Sequence, residues 1–291
     1  MNKTKIFGWC PGVYQPMEVE DGLLARIRPH LSRLTVSQAF VLCELAENYG
    51  NGLVEMTKRS NFQIRGLTNF TYTKFLKGLR DIGLLDENLT MEQKRNVIVT
   101  PFWEPYDENY RIANELVERL SEIPILPAKF GFVIDAANQP YLTTASGDIR
   151  IERSIDGLVL RADGAALGMR VTVDNAVDSL IEMASWFEEN KTSEFRRMKH
   201  IVAKNLLPSK WMQTMPLSVT NLPAAGYHRM GQIVSVPRAR FKATDLTSLI
   251  STYRMSEIRL TPWRMLLFVN GIVRNPDRAL KCVYRELAEA Q

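Results

Sequence analysis

Cysteine is scarce in this chain of 291 residues: Cys10, Cys43 and Cys282 are odd in number and far apart. That spacing argues against a disulfide framework and predicts a reducing, cytoplasmic setting. No two of them stand as C-x-x-C, so no metal site and no iron–sulfur motif is expected from the chain's own residues. Long apolar runs are missing as well. No stretch reaches the roughly 18 residues a membrane-spanning helix needs, and the opening MNKTKIFGWCPG lacks the apolar segment of a secretory signal. Neither membrane insertion nor export is therefore expected. The histidines, His30, His200 and His228, are isolated, with no serine–histidine–aspartate or metal-ligand spacing around them.

Positive charge is present, with a formal net charge of +5. It favours anionic partners. Yet the sequence has no lysine/arginine tract, no helix-turn-helix signature and no zinc-finger spacing, so nucleic acid is not the expected partner. The basic residues are scattered at strand positions, which suits a compact anion. The clearest case is TKRSNFQIRGL, residues 57–67. Read as a strand with a turn or break nearby, it opens with Thr57 and sets Arg59, Asn61, Gln63 and Arg65 on one face, since a strand turns alternate residues to the same side. A polar, solvated edge strand would show the same alternation.

Along the chain, residues 1–20 read as an irregular arm and 22–29 as a strand with Leu24, Arg26 and Arg28 on one face. Residues 34–50 read as a helix capped by Thr35 and stopped by Gly50. Strand 52–66 and a helix over about 72–82 follow, ended by Gly83. Strand 96–103, amphipathic helix 108–123 and a meander of 129–135, 148–153 and 158–162 come next. Helix 174–190, capped by Asp174 or Asn175, a second helix over 193–206 and a proline-bearing linker over 208–227 complete the middle. Residues 231–272 then repeat the layout of 22–67, with Thr261 standing where Thr57 stands. A last helix is expected over 277–290. An internal duplication changes the fold reading: an α+β chain with half-domains in 1–90 and 208–291 flanking an α/β domain in 91–207.

The segments QPMEVEDGLLARIRP, NGLVEMTKRSNFQIRG, KFGFVID, GLVLRADGAALG and RLTPWRMLLF, in that order, resemble precorrin-3B synthase of the sulfite and nitrite reductase superfamily. The likeness runs from about Cys10 to Gly271. It implies two ferredoxin-like half-domains around a sirohaem-reductase-type α/β domain. It also implies an oxidoreductase of aerobic cobalamin synthesis that binds a polycarboxylate tetrapyrrole, sirohaem or a precorrin. The family carries a 4Fe–4S cluster on four cysteines of a further α/β unit; this sequence has no such set, since one thiolate cannot replace four. The chain is accordingly expected to pair as a homodimer, or with a separate chain that supplies that unit. A non-catalytic tetrapyrrole-binding module is the alternative reading, and a product without ligand a third.

Residue by residue, the resemblance implies that Arg59 contacts the macrocycle's side chains, with Thr57, Asn61, Gln63 and Arg65 extending the same surface. Either Arg26 or Arg28 matches the arginine that points at the substrate anion. Arg95, accompanied by Asn96, and Lys129 match further basic residues of that pocket, while Gly131 stands where the reductases have a second basic residue. Thr261, Trp263 and Arg264 occupy the pseudo-symmetric place, and Arg264 is expected to reach a carboxylate from the other side.

Overall fold

The computed structural model describes residues 10–218 and 222–272. Its first repeat comprises strands β1 (Met17–Val19), β2 (Gly22–Ile27) and β3 (Arg33–Thr35), helix α1 (Val36–Tyr49), strands β4 (Leu53–Met56) and β5 (Phe62–Leu67), and helix α2 (Asn69–Asp81). Helix α1 starts where the Thr35 side chain accepts from the Gln38 amide and the Gln38 side chain accepts from the Thr35 amide, which satisfies two otherwise orphaned donors. Its apolar side, including Leu42, Cys43 and Ala46, packs on Ala25, Ile27, Val54, Phe62 and Ile64 of the strands. Helix α2 begins at Asn69, earlier than the apolar period marks, because Thr68 and Thr71 cap it reciprocally. The segment 52–66, read as a strand with a possible turn or break inside it, does contain that turn, at 57–61 between two strands, so Arg59 and Asn61 do not share a strand face with Gln63 and Arg65.

The central unit follows: α3 (Leu89–Lys94), β6 (Val97–Val99), α4 (Glu108–Glu118), β7 (Phe132–Asp135), β8 (Ile149–Ser154), β9 (Gly157–Ala162), β10 (Met169–Val171), α5 (Ala176–Asn190) and α6 (Met198–Val202). The sheet order is β10-β9-β8-β7-β6. The segments read as a meander are not one: β6, β7 and β8 run parallel, and only β8-β9-β10 is antiparallel. Parallel neighbours need a crossover, which α4 supplies between β6 and β7 and the loop 136–148 supplies between β7 and β8. Arg150 fixes that loop from below by donating to the carbonyls of Leu142 and Ala145, while Asp135 accepts from the amides of Tyr141 and Leu142. The helix expected over 193–206 is confined to Met198–Val202. The stretch expected as a linker is packed on this unit: Trp211 is buried edge-on to Trp186, and Thr214 and Pro216 bridge to Gly168 and Ser154.

The second repeat is β11 (Gly226–His228), β12 (Gly231–Ser235), β13 (Arg240–Lys242), α7 (Ala243–Thr252), β14 (Glu257–Leu260) and β15 (Met265–Val269). The two repeats exchange edge strands. β13 pairs with β4, setting Phe241 opposite Val54, and β3 pairs with β14, setting Leu34 opposite Ile258. Each sheet thereby covers an edge that would otherwise be open, and α1 and α7 share one apolar core. The same left-handed kink precedes both exchanged strands, at Leu31–Ser32 and Arg238–Ala239. The helix expected over 277–290, and Cys282, lie outside the described residues. Among the described residues no helix is long and apolar enough to cross a membrane.

Candidate functional site

The turn between β4 and β5 makes the site. The Thr57 hydroxyl accepts from the amides of Arg59 and Asn61, both at 3.2 Å, and Ser60 takes a left-handed φ of 53°. This geometry lifts Arg59 off the sheet and carries its guanidinium into the central unit. There Nη2 donates to the Lys129 carbonyl at 2.9 Å and to Ser146 Oγ at 3.2 Å. Nη1 is buried and has no hydrogen-bond partner among the described residues. It lies against Gly131, beside Asn96, whose amide donates to the Phe130 carbonyl at 2.5 Å.

Arg26, on β2, pairs across the sheet with Gln63 of β5 and so lies on the same face. Its Nε is buried without a hydrogen-bond partner among the described residues, and the Cys10 thiol sits beside the side chain. Burial lowers the affinity of both Arg26 and Arg59 for their protons; for Arg59 the next cause is the charge of Arg197. Both remain cations, since a guanidinium does not lose its proton in a protein. Arg197 donates to Asp148 Oδ1 at 2.8 Å, and Asp148 Oδ2 accepts from the Gly131 amide at 3.0 Å. Arginines from the first repeat and from the central unit therefore meet around Gly131 and Asp148.

The structure brings together Arg26, Arg59 and Asn96, with Lys129 at the rim. Lys129 is exposed, and it is its carbonyl that holds Arg59. Arg26 and Arg28 have different surroundings. Arg28 turns the other way and donates to the Glu92 carbonyl at 2.7 Å, with the Glu92 carboxylate 3.7 Å away. Arg95 is clamped by Asp86 through two bonds of 2.6 and 2.8 Å. Arg65 forks onto Asp21 at the hairpin end, with its closest contact at 2.9 Å. Asn61 is buried beneath the turn, and Gln63 is half-buried between Arg26 and Glu55 of the flanking strands.

In the second repeat the equivalent turn is built alike, the Thr261 hydroxyl accepting from the Met265 amide at 3.0 Å. Arg264 takes the place of Ser60, with φ 61°, and is exposed. Trp263 takes the place of Arg59 and packs with Phe102 and Tyr141. A cleft of about 670 Å³ nearby is lined by Phe102, Tyr141 and His228, but its arginines, Arg111, Arg153 and Arg229, are already paired with Asp174, Glu108 and Glu104. Sequence reading missed Asp148, Arg197, Ser146 and Arg150, which stand in no motif.

A 4Fe–4S cluster does not fit the described residues. Cys43 is buried in the shared core, its thiol pushed up to about 12 by burial, and Cys10 lies at the arginine site. No group of acidic, histidine and cysteine side chains among the described residues is placed to hold a metal. The site does fit anionic side chains of a larger ligand, because it offers two buried guanidinium nitrogens with donors to spare.

Residues 15–82 match the nitrite/sulfite reductase ferredoxin-like half domain. The chain is 33% identical over 149 residues to a precorrin-3B synthase of Sinorhizobium sp, covering 50% of this chain and 32% of that protein. Half of the chain is thus similar to a precorrin-3B synthase, and its first repeat carries a nitrite/sulfite reductase ferredoxin-like half domain. The aligned part spans about a third of the length of that curated relative. The fold is similar to that of the Mycobacterium tuberculosis NirA protein, with a TM-score of 0.60 at 15% identity over 92% of this chain and 56% of the other. The paired half-domains and the central α/β unit are thus laid out as in that fold.

Proposed function

We propose that the chain binds a polycarboxylate tetrapyrrole, sirohaem or a precorrin, in a precorrin-3B synthase-like oxidoreductase of corrinoid synthesis. The observation that carries this reading is that Arg59 Nη1 and Arg26 Nε, on arginines whose charges act on each other, are both buried and both without hydrogen-bond partners among the described residues. A buried donor left unsatisfied costs about 1–3 kcal/mol, and more when charged. Two such donors on neighbouring arginines are best explained by a ligand that accepts from them. Arg59 and Arg26 grip carboxylates, Asn96 and Gln63 shape the floor, and the Lys129 ammonium adds charge at the rim. Arg28 and Arg95 hold the arm and the start of β6 against Glu92 and Asp86, so they support the site from behind. Thr57 and Asn61 set the angle of Arg59. Arg65 and Arg264 stand at the periphery, where they meet the longest carboxylate arms.

A bound tetrapyrrole would supply the redox chemistry; this chain's residues bind it, orient it and neutralise its charge. No electron step is assigned to a cluster, which the described residues do not fit. That misfit favours a second reading, a tetrapyrrole-binding subunit that works with a second copy or with a cluster-bearing chain. Light scattering after size exclusion, alone and with such a chain, separates these assemblies. The primary test is an anaerobic titration with sirohaem followed by absorbance. A saturable spectral shift is expected, weakened about 10- to 100-fold in Arg59→Gln, as for loss of a charged hydrogen bond. A folded protein that shows no shift refutes the reading.

A further inference from the structure

We propose that the cleft between the central unit and the second repeat binds a flat, uncharged nitrogen heterocycle of nucleobase size, with His228 and Tyr106 as its ring contacts. The cleft is the one of about 670 Å³ that Phe102, Tyr141 and His228 help to line. It lies outside the carboxyl ends of the parallel strands: Phe102 follows β6, Ala136–Gln139 follow β7, and Arg153 stands near the end of β8. Ligands of open α/β sheets settle at such ends, and the volume falls within the roughly 300–1,000 Å³ of small-molecule sites. The arginine site lies at the opposite ends, since Asn96, Gly131 and Asp148 immediately precede β6, β7 and β8. The inference therefore does not rest on the tetrapyrrole reading.

Two rings make the contact surface. Phe102 is buried, and its ring meets Trp263 at 6.2 Å between centroids with 21° between planes and His228 at 4.3 Å and 30°. His228 is only half-buried, so a planar ligand laid on it extends this series of rings. Its Nδ1 accepts from the Met230 amide at 3.3 Å, which leaves the proton of the neutral ring on Nε2. Burial and the charge of Arg229 favour that neutral form. Tyr106 is the stronger signal. The Asp107 amide donates to the Glu104 carbonyl at 3.0 Å, and the Glu104 amide donates to Asp107 Oδ2 at 2.8 Å. The turn so closed has Pro105 second and Tyr106 third, with a left-handed φ of 69°. That is the pattern of a type II turn, whose third position favours glycine. Tyr106 is therefore strained, yet its ring is 82% exposed and rests only edge-on against Tyr110, 5.8 Å away. Packing does not account for it, and a backbone outlier on the lining of a cleft points to function.

Charge selects among flat ligands. Arg111, Arg153 and Arg229 are paired with Asp174, Glu108 and Glu104. Asp107 adds a carboxylate that caps α4 by accepting from the Tyr110 amide at 2.7 Å. The N-terminus of α4 is thus occupied, and every arginine of the lining already faces a carboxylate, so a phosphate gains nothing here. Recognition falls to uncharged groups: the Nε2–H of His228 and the side-chain amides of Asn138 and Gln139, exposed on the loop after β7. A ring nitrogen accepts from the first, and an exocyclic amine or carbonyl pairs with the amides. That combination is the edge chemistry of a nucleobase.

The test titrates the full chain with 2-aminopurine riboside, whose fluorescence is quenched on stacking, and with its 5′-monophosphate. Saturable quenching is expected with the riboside, and clearly weaker binding with the monophosphate. Tyr106→Gly suits the turn, so its unfolding midpoint is expected to hold or rise while riboside affinity falls about tenfold, as for one lost stacking partner. His228→Phe keeps a ring on Phe102 and loses only the Nε2–H, for a drop of about threefold; His228→Ala should lose more. The sirohaem response of Tyr106→Gly should match that of the unaltered chain. No saturable quenching, or unchanged affinity in both Tyr106→Gly and His228→Ala, overturns the site. Equal or tighter binding of the monophosphate overturns the uncharged class. A lowered unfolding midpoint in Tyr106→Gly overturns the reading of Tyr106 as strained for binding. Displacement of the riboside by sirohaem shows one site rather than two and overturns the inference, whereas failure of sirohaem alone to bind refutes only the tetrapyrrole reading.

Discussion

Arg259 is expected to be the most costly single truncation outside the ligand site. It is 2% exposed, on β14, in the sheet face that meets the central unit. Its Nη1 donates to the carbonyls of Pro101 and Trp103, at 2.9 and 2.5 Å. Its Nε reaches Glu257 at 2.7 Å, and its guanidinium lies 3.6 Å from the centroid of the Trp103 ring. Arg259→Ala removes all of this together, leaving two carbonyls and a carboxylate short of donors. Breaking a buried charged pair costs about 3–5 kcal/mol, and a desolvated cation–π contact about 2 kcal/mol. The terms overlap, so a loss of about 4 kcal/mol is expected, a large share of a typical total of about 5–15 kcal/mol. Urea unfolding followed by tryptophan emission measures it, because Trp103 reports on the contact itself. Arg259→Lys keeps the charge but cannot span both carbonyls and should fall between. A loss below about 1 kcal/mol in Arg259→Ala, with native emission unchanged, would refute the idea that this cation joins the second repeat to the central unit.

Two further outcomes follow from buried titrating groups. Burial raises the Asp135 carboxyl to about 7, against the bonds it accepts from Leu142 and Tyr141. A carboxyl raised on folding binds protons more tightly in the native state, so its contribution is full below the unfolded value of about 4 and is lost as pH rises through about 7. Thermal midpoints should show this decline between those limits, and Asp135→Asn should flatten it; an unchanged slope in the variant would place the decline elsewhere. Cys43, its thiol pushed up to about 12 by burial, should resist iodoacetamide at pH 8 in the native protein while Cys10 is labelled; mass spectrometry of peptides decides, and modification of Cys43 without unfolding contradicts its placement in the core.

Much of the half-domain was legible because its signals are local. Thr35, Gln38 and Gly50 mark both ends of α1 by their own chemistry, and the Thr57–Thr261 spacing marks a duplicated turn whose hydrogen bonds recur in the structure. What was hidden is non-local. Nothing in the triplets Arg33–Thr35 and Arg240–Lys242 shows that each joins the other repeat's sheet. The parallel order of β6, β7 and β8 was obscured because their apolar residues read equally well in a meander, and the deciding crossover is a loop held by Arg150 from a later strand. The expected single face of Arg59, Asn61, Gln63 and Arg65 failed at Ser60, where a non-glycine residue in a left-handed conformation breaks the alternation. Arg197 gave no signal at all, since its neighbours in SEFRRMKH read as an ordinary helix start.

The duplicated turn bears on the different roles proposed for the two half-domains. Both turns use a threonine hydroxyl to hold the chain and project the residue two positions on toward the same loop of the central unit. In the second repeat that residue is Trp263, which packs against the apolar cluster of Ile98, Val133 and Leu142. In the first it is Arg59, which reaches Ser146 on the same loop but keeps one nitrogen unspent. An apolar ring in that place gains by burial and needs no further partner. A guanidinium loses by burial unless something pairs with it. In the proposed reading, one projection is an adhesive and the other a receptor. Exchanging them tests this division: Arg59→Trp should leave the half-domain docked and abolish anion binding, whereas Trp263→Arg should loosen the second half-domain from the central unit and lower the unfolding midpoint. Retained anion binding in the first, or retained stability in the second, would show that the two turns do not carry these separate roles.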